Sequence, residues 1–144
     1  MKALVVYSTR TKNTQKIGEL VADGISSSGV DVNIMNARVI KKPEEFQGYD
    51  ALVFGSATEG EDIMWPMEQA LNLAKEVDLK GIVGGAFGSY GWSGEASELI
   101  YNTMKNSFGM DMVSSFFRVK AGEIEGNEEA AREYGREIAR KLAK

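Results

Sequence analysis

Cysteine and histidine are both absent from the 144 residues of this chain. Without cysteine, the chain can form no disulfide, no thiolate nucleophile and no iron–sulfur site of its own. Without histidine, it can build neither a Ser-His-Asp triad nor an imidazole metal site. A protein that lacks both and carries out redox chemistry must take its reactive group from a bound cofactor. We therefore expect no metal site.

Long apolar runs and an excess of positive charge are also missing. No segment is long enough for a transmembrane helix and no N-terminal signal pattern is visible, so we expect a cytoplasmic protein without membrane contacts. The chain has 17 Lys and Arg against 21 Asp and Glu, a formal net charge of −4. This balance argues against a nucleic-acid partner and is compatible with basic protein partners. With 43% hydrophobic residues, residues 1–144 are expected to form one domain.

Loop one (residues 7–14) carries hydroxyl groups between an apolar run and an amphipathic stretch; it reads Tyr-Ser-Thr-Arg-Thr-Lys-Asn-Thr. A strand that ends in such a loop and enters a helix can hold a phosphate, because the first helical N–H groups and the helix dipole favour an anion. The GxxxxGK[ST] lysine pattern is absent, which excludes a nucleoside-triphosphate site. The pattern predicts a phosphate that is bound and kept. Taken alone, the same residues are also typical of a simple helix cap.

Strand and helix patterns alternate along the chain. The predicted strands are 2–7, 30–35, 51–55, 81–87 and 113–119; the predicted helices are 14–28, 66–77, 94–108 and 127–142, with a helical turn at 42–46 and Asn127 as the last N-cap. This order predicts an α/β fold with a single doubly wound, five-stranded parallel sheet and helices on both faces. The strand order 2-1-3-4-5 would place a ligand at the carboxyl ends of the strands, near strands one and three.

Two further loops are predicted to lie beside loop one, namely loop three (residues 56–65) and loop four (residues 88–94). Both tryptophans, Trp65 and Trp92, and also Tyr90 fall in these loops. Aromatic rings at the open end of a sheet are costly to expose unless something stacks on them. A planar ligand with a phosphate would account for all three loops. Packing of Tyr90 and Trp92 on the domain's own helices, and a solvated turn at residues 59–62, are the alternatives.

The chain resembles the flavodoxins over nearly its whole length. Residues 9–14 match the flavodoxin phosphate-loop pattern [ST]-x-T-G-N-T except at the glycine, and residues 87–96 resemble the flavin domain of flavo-diiron proteins, whose diiron half is missing here. The resemblance implies a free-standing flavodoxin that binds FMN non-covalently. Such a protein is a low-potential electron carrier, not an enzyme, and it shuttles single electrons between redox protein partners through a neutral semiquinone. A monomer is expected.

The resemblance also assigns positions. The 5′-phosphate would be held by Thr9, Arg10, Thr11, Lys12, Asn13 and Thr14. Tyr90 would lie on the outer face of the flavin and Trp92 at its edge. The pyrimidine side would be met by Ala57, Thr58, Glu59, Gly60, Gly88, Ser89 and Gly94. The peptide of Gly60 would flip so that its carbonyl accepts a hydrogen bond from the flavin N5–H.

Two departures from the flavodoxin pattern leave alternatives open. Lys12 replaces a glycine, so it either adopts a strained backbone angle or adds attraction to the phosphate. Glu59 stands where flavodoxins place an apolar or aromatic residue against the inner flavin face, so Met64 or Trp65 could take that role. The charges of residues 59–62 and of Glu95 imply a low second potential and a salt-dependent docking edge for basic partners.

Other proteins share this order of elements. An FMN-dependent NAD(P)H or quinone reductase is the alternative function, although no second nucleotide loop is visible. A flavin module of a larger complex is another. The sequence argues against a response-regulator receiver domain, because such a domain needs acidic residues after strands one and three. This chain has Ser8-Thr9 and Gly55-Ser56 at those positions. A low-molecular-weight phosphatase is excluded because it needs a cysteine.

Overall fold

The computed structural model describes residues 1–144 and contains seven strands and four α-helices. The strands are β1 (Lys2–Ser8), β2 (Asp31–Asn36), β3 (Ala51–Glu59), β4 (Asp62–Ile63), β5 (Val83–Tyr90), β6 (Asp111–Met112) and β7 (Phe117–Lys120). The helices are α1 (Asn13–Ser26), α2 (Trp65–Ala74), α3 (Glu95–Asn102) and α4 (Glu128–Leu142). Short 3₁₀ turns occupy Ala37–Val39, Pro43–Phe46, Ala121–Glu123 and Glu125–Asn127, and a π-helical turn, Thr103–Ser107, extends α3.

The strands form one sheet with the spatial order β2-β1-β3-β5 followed by β6 and β7. All pairs along this order are parallel. The additional strand β4 is a two-residue return that pairs antiparallel with the end of β3. Since β6 and β7 share the fifth position, the predicted α/β fold with the strand order 2-1-3-4-5 is confirmed.

The central strands are buried on both faces, which explains their almost continuous apolar sequences. Successive side chains of a strand point to opposite faces. Val5 therefore joins a core with Ile17 of α1 and Ile138 of α4, whereas Leu4 joins a second core with Met67 of α2 and Ile100 of α3. The two cores confirm that helices cover both faces of the sheet.

The fifth strand differs from the prediction, because the segment 113–119 does not form one strand. Between its contacts with β6 and β7, β5 has the two residues 85 and 86, whereas the opposite segment has the four residues 113–116. Residues 113–116 therefore do not pair with β5 in the strand ladder. The hydroxyl of Tyr134 fills the gap, since it accepts a hydrogen bond from the amide of Ala86 (3.0 Å) and donates one to the carbonyl of Ser115 (2.7 Å).

The N-cap prediction for α4 is correct in position and wrong in mechanism. Asn127 precedes the helix, but its side chain makes no cap hydrogen bond. Its amide group instead donates to the carbonyl of Glu123 at 2.8 Å, because the 3₁₀ turns before α4 present that acceptor. None of the helices combines the length and the apolar character that crossing a membrane requires.

Helices α1 and α4 cross at two glycines. A Cβ atom on Gly24 would overlap the carbonyl oxygen of Arg132, and one on Gly135 would overlap the carbonyl oxygen of Val21. The backbones can therefore approach this closely only without side chains at the crossing. This contact fixes α1, whose first turn follows loop one, against the body of the domain.

Candidate functional site at the carboxyl edge of the sheet

Loop one, the carboxyl end of β3, and the end of β5 with loop four surround a cavity of about 310 Å³ at the carboxyl edge of the sheet. The cavity is lined by Arg10, Thr11 and Asn13 of loop one, by Ala57 and Thr58 of β3, by Ser89, Tyr90, Gly91 and Trp92 of β5 and loop four, and by Ala121. The structure thus brings eight of the predicted site residues together around one space.

Loop one enters α1 through a left-handed residue. Lys12 is the N-cap of α1 and has a φ of 69°, so the backbone-angle explanation for the usual glycine holds at this position. No side chain caps the helix, and its first turn contains no acidic residue. The first helical amides are therefore free of side-chain acceptors at the same edge as the cavity. Lys12 itself does not line the cavity.

The hydroxyl groups of loop one have different surroundings. Thr9 Oγ1 is buried and has no hydrogen-bond partner. Thr11 Oγ1 accepts a hydrogen bond from the amide group of Asn13 at 3.0 Å. Thr14 Oγ1 lies 2.6 Å from Ser89 Oγ in the interior, so this hydroxyl joins loop one to β5 and does not line the cavity. Only the backbone amide of Thr14 remains for a ligand.

Residues 59–62, which we call the acidic hairpin, form a tight turn between β3 and β4. Glu59 pairs with Asp62 across the turn. Gly60 and Glu61 have φ angles of 55° and 66°, as in the two-residue type I′ turns of hairpins. The acidic hairpin is exposed and follows Thr58 of the cavity wall. Glu59 and Gly60 do not line the cavity.

The two candidates for the inner flavin face lie away from the cavity. Met64 is buried, and its sulfur accepts a hydrogen bond from the hydroxyl of Ser8 at 3.5 Å. Trp65 is 69% exposed and lines a separate groove of about 380 Å³ beside the segment Ala37–Lys41. Sequence spacing alone could not distinguish these positions, because both residues follow the β4 return at the start of α2, and only the fold makes Met64 buried and Trp65 exposed.

Close packing at two glycines and a hydrogen bond from α3 fix the position of loop four. A Cβ atom on Gly88 would lie 2.8 Å from the carbonyl oxygen of Ser56, and one on Gly94 would lie 3.0 Å from Arg118 Cδ. These two glycines serve close packing and do not line the cavity. The amide of Ala96 donates to Thr58 Oγ1 at 3.1 Å, which joins the first turn of α3 to β3.

The two aromatic residues of loop four line the cavity. Tyr90 is partly buried, whereas Trp92 is 97% exposed. The alternative that both rings pack on the domain's own helices is therefore wrong for Trp92. A large apolar ring at the mouth of a cavity is available for stacking.

Two residues that line the cavity were missed by the sequence analysis, namely Gly91 and Ala121. Ala121 follows β7, so it lies at the same edge as the ends of the other parallel strands. The predicted strand order already placed the loop after the fifth strand beside loop four, and this order could have identified Ala121. A neighbouring cavity of about 470 Å³ shares Asn13 and Ala121 and extends to Lys16 and Glu128.

The groups with shifted pKa values lie outside the cavity. Burial raises the pKa of Tyr134 strongly and that of Tyr101 less. Hydrogen bonds from Arg136 and Arg140 lower the pKa values of Glu129 and Glu133 on the exposed face of α4. No group of three or more Asp and Glu side chains is arranged to hold a metal ion. The wall of the cavity thus offers hydrogen bonds, charge and aromatic faces for a ligand.

Fold and cavity define a class: a doubly wound α/β domain with a cavity at its topological switch point. The Flavodoxin family model matches residues 5–135. A flavodoxin from Clostridium beijerinckii is 31% identical over 137 residues, which cover 94% of this chain and 97% of that protein. The structure of a flavodoxin from the domain Archaea is 32% identical, with a TM-score of 0.93 and full coverage of both chains.

The chain also resembles parts of larger proteins. The Flv1 flavodiiron core from Synechocystis sp. PCC6803 is 28% identical with a TM-score of 0.91, and the match covers 99% of this chain and 36% of that one. Four putative diflavin flavoproteins from Synechocystis and Nostoc are 30–32% identical, and the matched region spans only 20–26% of their length.

This chain belongs to the flavodoxin family. Its full-length relatives are flavodoxins, which are electron carriers rather than enzymes. The family implies FMN as the cofactor and redox proteins as partners.

Proposed function

We propose that this protein is a low-potential one-electron carrier that binds FMN without a covalent link and passes electrons between redox protein partners. The bound flavin would supply the one-electron chemistry, with the neutral semiquinone as its intermediate oxidation state. The observation that carries the proposal is the convergence of loops one, three and four on one cavity.

The phosphate end of FMN fits loop one. The buried hydroxyl of Thr9 lacks a partner, and an unsatisfied buried polar group costs about 1–3 kcal/mol. A phosphate oxygen would accept its hydrogen bond. The uncapped first turn of α1 supplies further N–H donors, and Arg10, Lys12 and the helix dipole add positive potential. Thr11 and Asn13 complete the set, with Thr14 contributing its amide.

The ring end of FMN fits loops three and four. The volume of about 310 Å³ lies at the lower end of the range for small-molecule sites. Tyr90 would cover the outer face of the ring and Trp92 its edge. The pyrimidine side would meet backbone groups of Ala57, Thr58, Glu59, Gly60, Gly88, Ser89 and Gly94.

The acidic hairpin supplies a reason for the peptide flip at Gly60. Rotation of the peptide between Gly60 and Glu61 converts a type I′ turn into a type II′ turn, in which only the first central residue keeps a positive φ. The flip would therefore release Glu61 from its left-handed conformation, which costs roughly 1–2 kcal/mol in a residue with a side chain. The Gly60 carbonyl could then accept a hydrogen bond from the flavin N5–H.

The charge of the acidic hairpin supports a low potential and a docking edge. Glu59, Glu61 and Asp62 are exposed beside the cavity, and negative charge near a reduced, anionic flavin is unfavourable. The same charges would attract basic partner surfaces toward the exposed edge at Trp92. A cytoplasmic location and a monomeric state stay predictions.

The test is reconstitution followed by reduction. Purified apoprotein is titrated with FMN while the flavin fluorescence is recorded, and the loaded protein is then reduced stepwise with dithionite. We expect quenching with a stoichiometry of one and a blue intermediate spectrum. A well-folded protein that is colourless after incubation with FMN and removal of the free flavin would contradict the proposal. Steady turnover of NAD(P)H with a quinone, without an added reductase, would instead favour the reductase alternative.

A further inference from the structure

Arg118 of β7 contacts loop four from outside the cavity. Its Nη1 donates to the carbonyl of Gly94 at 3.1 Å. Its guanidinium carbon lies 5.7 Å from the ring centroid of Tyr90 and 5.6 Å from that of Phe116. Arg118 takes part in none of the five ion pairs of the structure. Its charge is therefore balanced by aromatic rings and a carbonyl dipole, without a carboxylate.

The register of the sheet explains this arrangement. β7 runs parallel to β5, with Arg118 opposite Gly88 and Lys120 opposite Tyr90. Arg118 and Tyr90 are thus diagonal neighbours on one face of the sheet, a spacing that long side chains can bridge. Gly94 has no side chain that would occupy the space between them, since a Cβ atom there would lie 3.0 Å from Arg118 Cδ and 3.2 Å from Tyr90 Cδ1. Phe116 lies two residues before Arg118 in the chain, and its ring reaches the guanidinium from there.

The partners of Arg118 distinguish it from an ordinary surface arginine that rests on an aromatic ring. Tyr90 and Gly94 both belong to the strand end and loop that form one side of the cavity. Tyr90 lines the cavity and Arg118 does not, so the guanidinium contacts the ring from the outside. Contacts of this type stabilise one orientation of an aromatic ring, and the planar, multidentate guanidinium can bind the ring and the carbonyl together.

We propose that Arg118 is a positioning residue for the flavin ring, and this inference rests on the proposed function. It would hold Tyr90 and Gly94 in place before the cofactor binds, which reduces the ordering cost of binding. It would also place one positive charge without a carboxylate partner on the side of the Tyr90 ring that faces away from the cavity. This charge favours the anionic, fully reduced flavin and so opposes the effect of the acidic hairpin on the second potential.

The variants Arg118→Met and Arg118→Lys separate these two roles, and Arg38→Met is the matched control. Arg38 lies beside the separate groove, and its replacement changes the net charge by the same amount. The measurements are the FMN dissociation constant, both one-electron potentials at low and high salt, and amide hydrogen exchange of residues 90–94 in the apoprotein.

For Arg118→Met, we expect FMN binding to weaken by about two- to fivefold, the range of an exposed cation–π contact. The second potential should fall more than the first, most clearly at low salt, and residues 90–94 should exchange faster. Arg118→Lys keeps the charge without the planar fork, so its second potential should stay near that of the wild type while the exchange remains faster.

The inference is overturned if Arg118→Met equals Arg38→Met in FMN affinity, in both potentials and in exchange. Equal shifts of the two potentials in Arg118→Met would overturn the charge role. If the wild type itself fails to bind FMN, the proposed function fails, and the exchange of the apoprotein alone decides whether Arg118 orders loop four.

Discussion

Replacement of Tyr134 by phenylalanine removes the hydroxyl that repairs the broken fifth strand. That hydroxyl accepts from the amide of Ala86 at 3.0 Å and donates to the carbonyl of Ser115 at 2.7 Å. The phenylalanine ring keeps the volume of the side chain and its stack on Phe117, whose centroid lies 5.5 Å away. The substitution therefore creates no cavity and isolates the effect of the two hydrogen bonds.

The expected cost follows from where the two partners lie. Ala86 is fully buried in the central strand β5, so its amide has no replacement acceptor. Ser115 is exposed, and its carbonyl can bind water instead. An unsatisfied buried amide costs about 1–3 kcal/mol, and we expect the free energy of unfolding to fall by that amount. Each kcal/mol corresponds to roughly 2–4 °C in melting temperature for a chain of about this size.

The assay is urea unfolding of the apoprotein, with Tyr101→Phe as the matched control. The Tyr101 hydroxyl donates a single hydrogen bond, to the carbonyl of Val113 at the partly buried edge of the sheet. Its loss should cost only about 0.5–1.5 kcal/mol. A Tyr134→Phe protein within about 0.5 kcal/mol of the wild type, the usual range of neutral surface changes, would refute the reasoning. A loss smaller than that of Tyr101→Phe would count against it as well.

The same tyrosine predicts a pH dependence. Burial raises the pKa of Tyr134 in the folded protein, while the unfolded chain releases this proton near pH 10. Above that pH the unfolded state binds fewer protons than the native state, so stability falls as the pH rises. The contribution is fully present below about pH 10. In Tyr134→Phe this alkaline loss should be smaller, as measured by unfolding midpoints between pH 8 and about 11.

Four further substitutions test other parts of the structure. Lys12→Gly should raise the unfolding free energy of the apoprotein by about 1 kcal/mol, because glycine tolerates a positive φ. An unchanged urea midpoint would contradict the backbone strain at Lys12. A weaker FMN affinity of the variant would show that the ammonium group also attracts the phosphate. Gly135→Ala should destabilise the protein by more than about 2 kcal/mol in thermal unfolding, because its Cβ would overlap the carbonyl oxygen of Val21; a wild-type melting temperature would mean that α1 and α4 can move apart freely. Thr9→Ala should weaken FMN binding about tenfold, measured by fluorescence titration against Thr103→Ala on the distant end of α3 as control; equal affinities would remove Thr9 from the phosphate site. Gly60→Ala should reduce the blue intermediate in a dithionite titration, because the flipped type II′ turn combines a positive φ at this residue with a ψ of about −120°, outside the left-handed region that alanine can enter; an unchanged yield would place the flip elsewhere.

The sequence by itself determined the layers, the strand order and the chemical character of the site. Alternating apolar segments of strand and helix length predicted a sheet covered on both faces, and Leu4 and Val5 now lie in opposite cores. The hydroxyl groups of loop one and the aromatic residues of loop four predicted a phosphate-bearing planar ligand. These features are local, because backbone periodicity and loop composition depend on neighbours along the chain.

Only the tertiary structure decided which side chains meet. Thr14 and Ser89 are 75 residues apart, and their contact removes from the cavity a hydroxyl that the pattern had assigned to the phosphate. The two extra residues in the fifth strand left a gap that the hydroxyl of Tyr134 fills between Ala86 and Ser115. The β4 return placed Trp65 at the start of α2, beside the separate groove. Each of these outcomes depends on the register between strands distant in sequence, and a shift of one residue would send the same side chains to the other face.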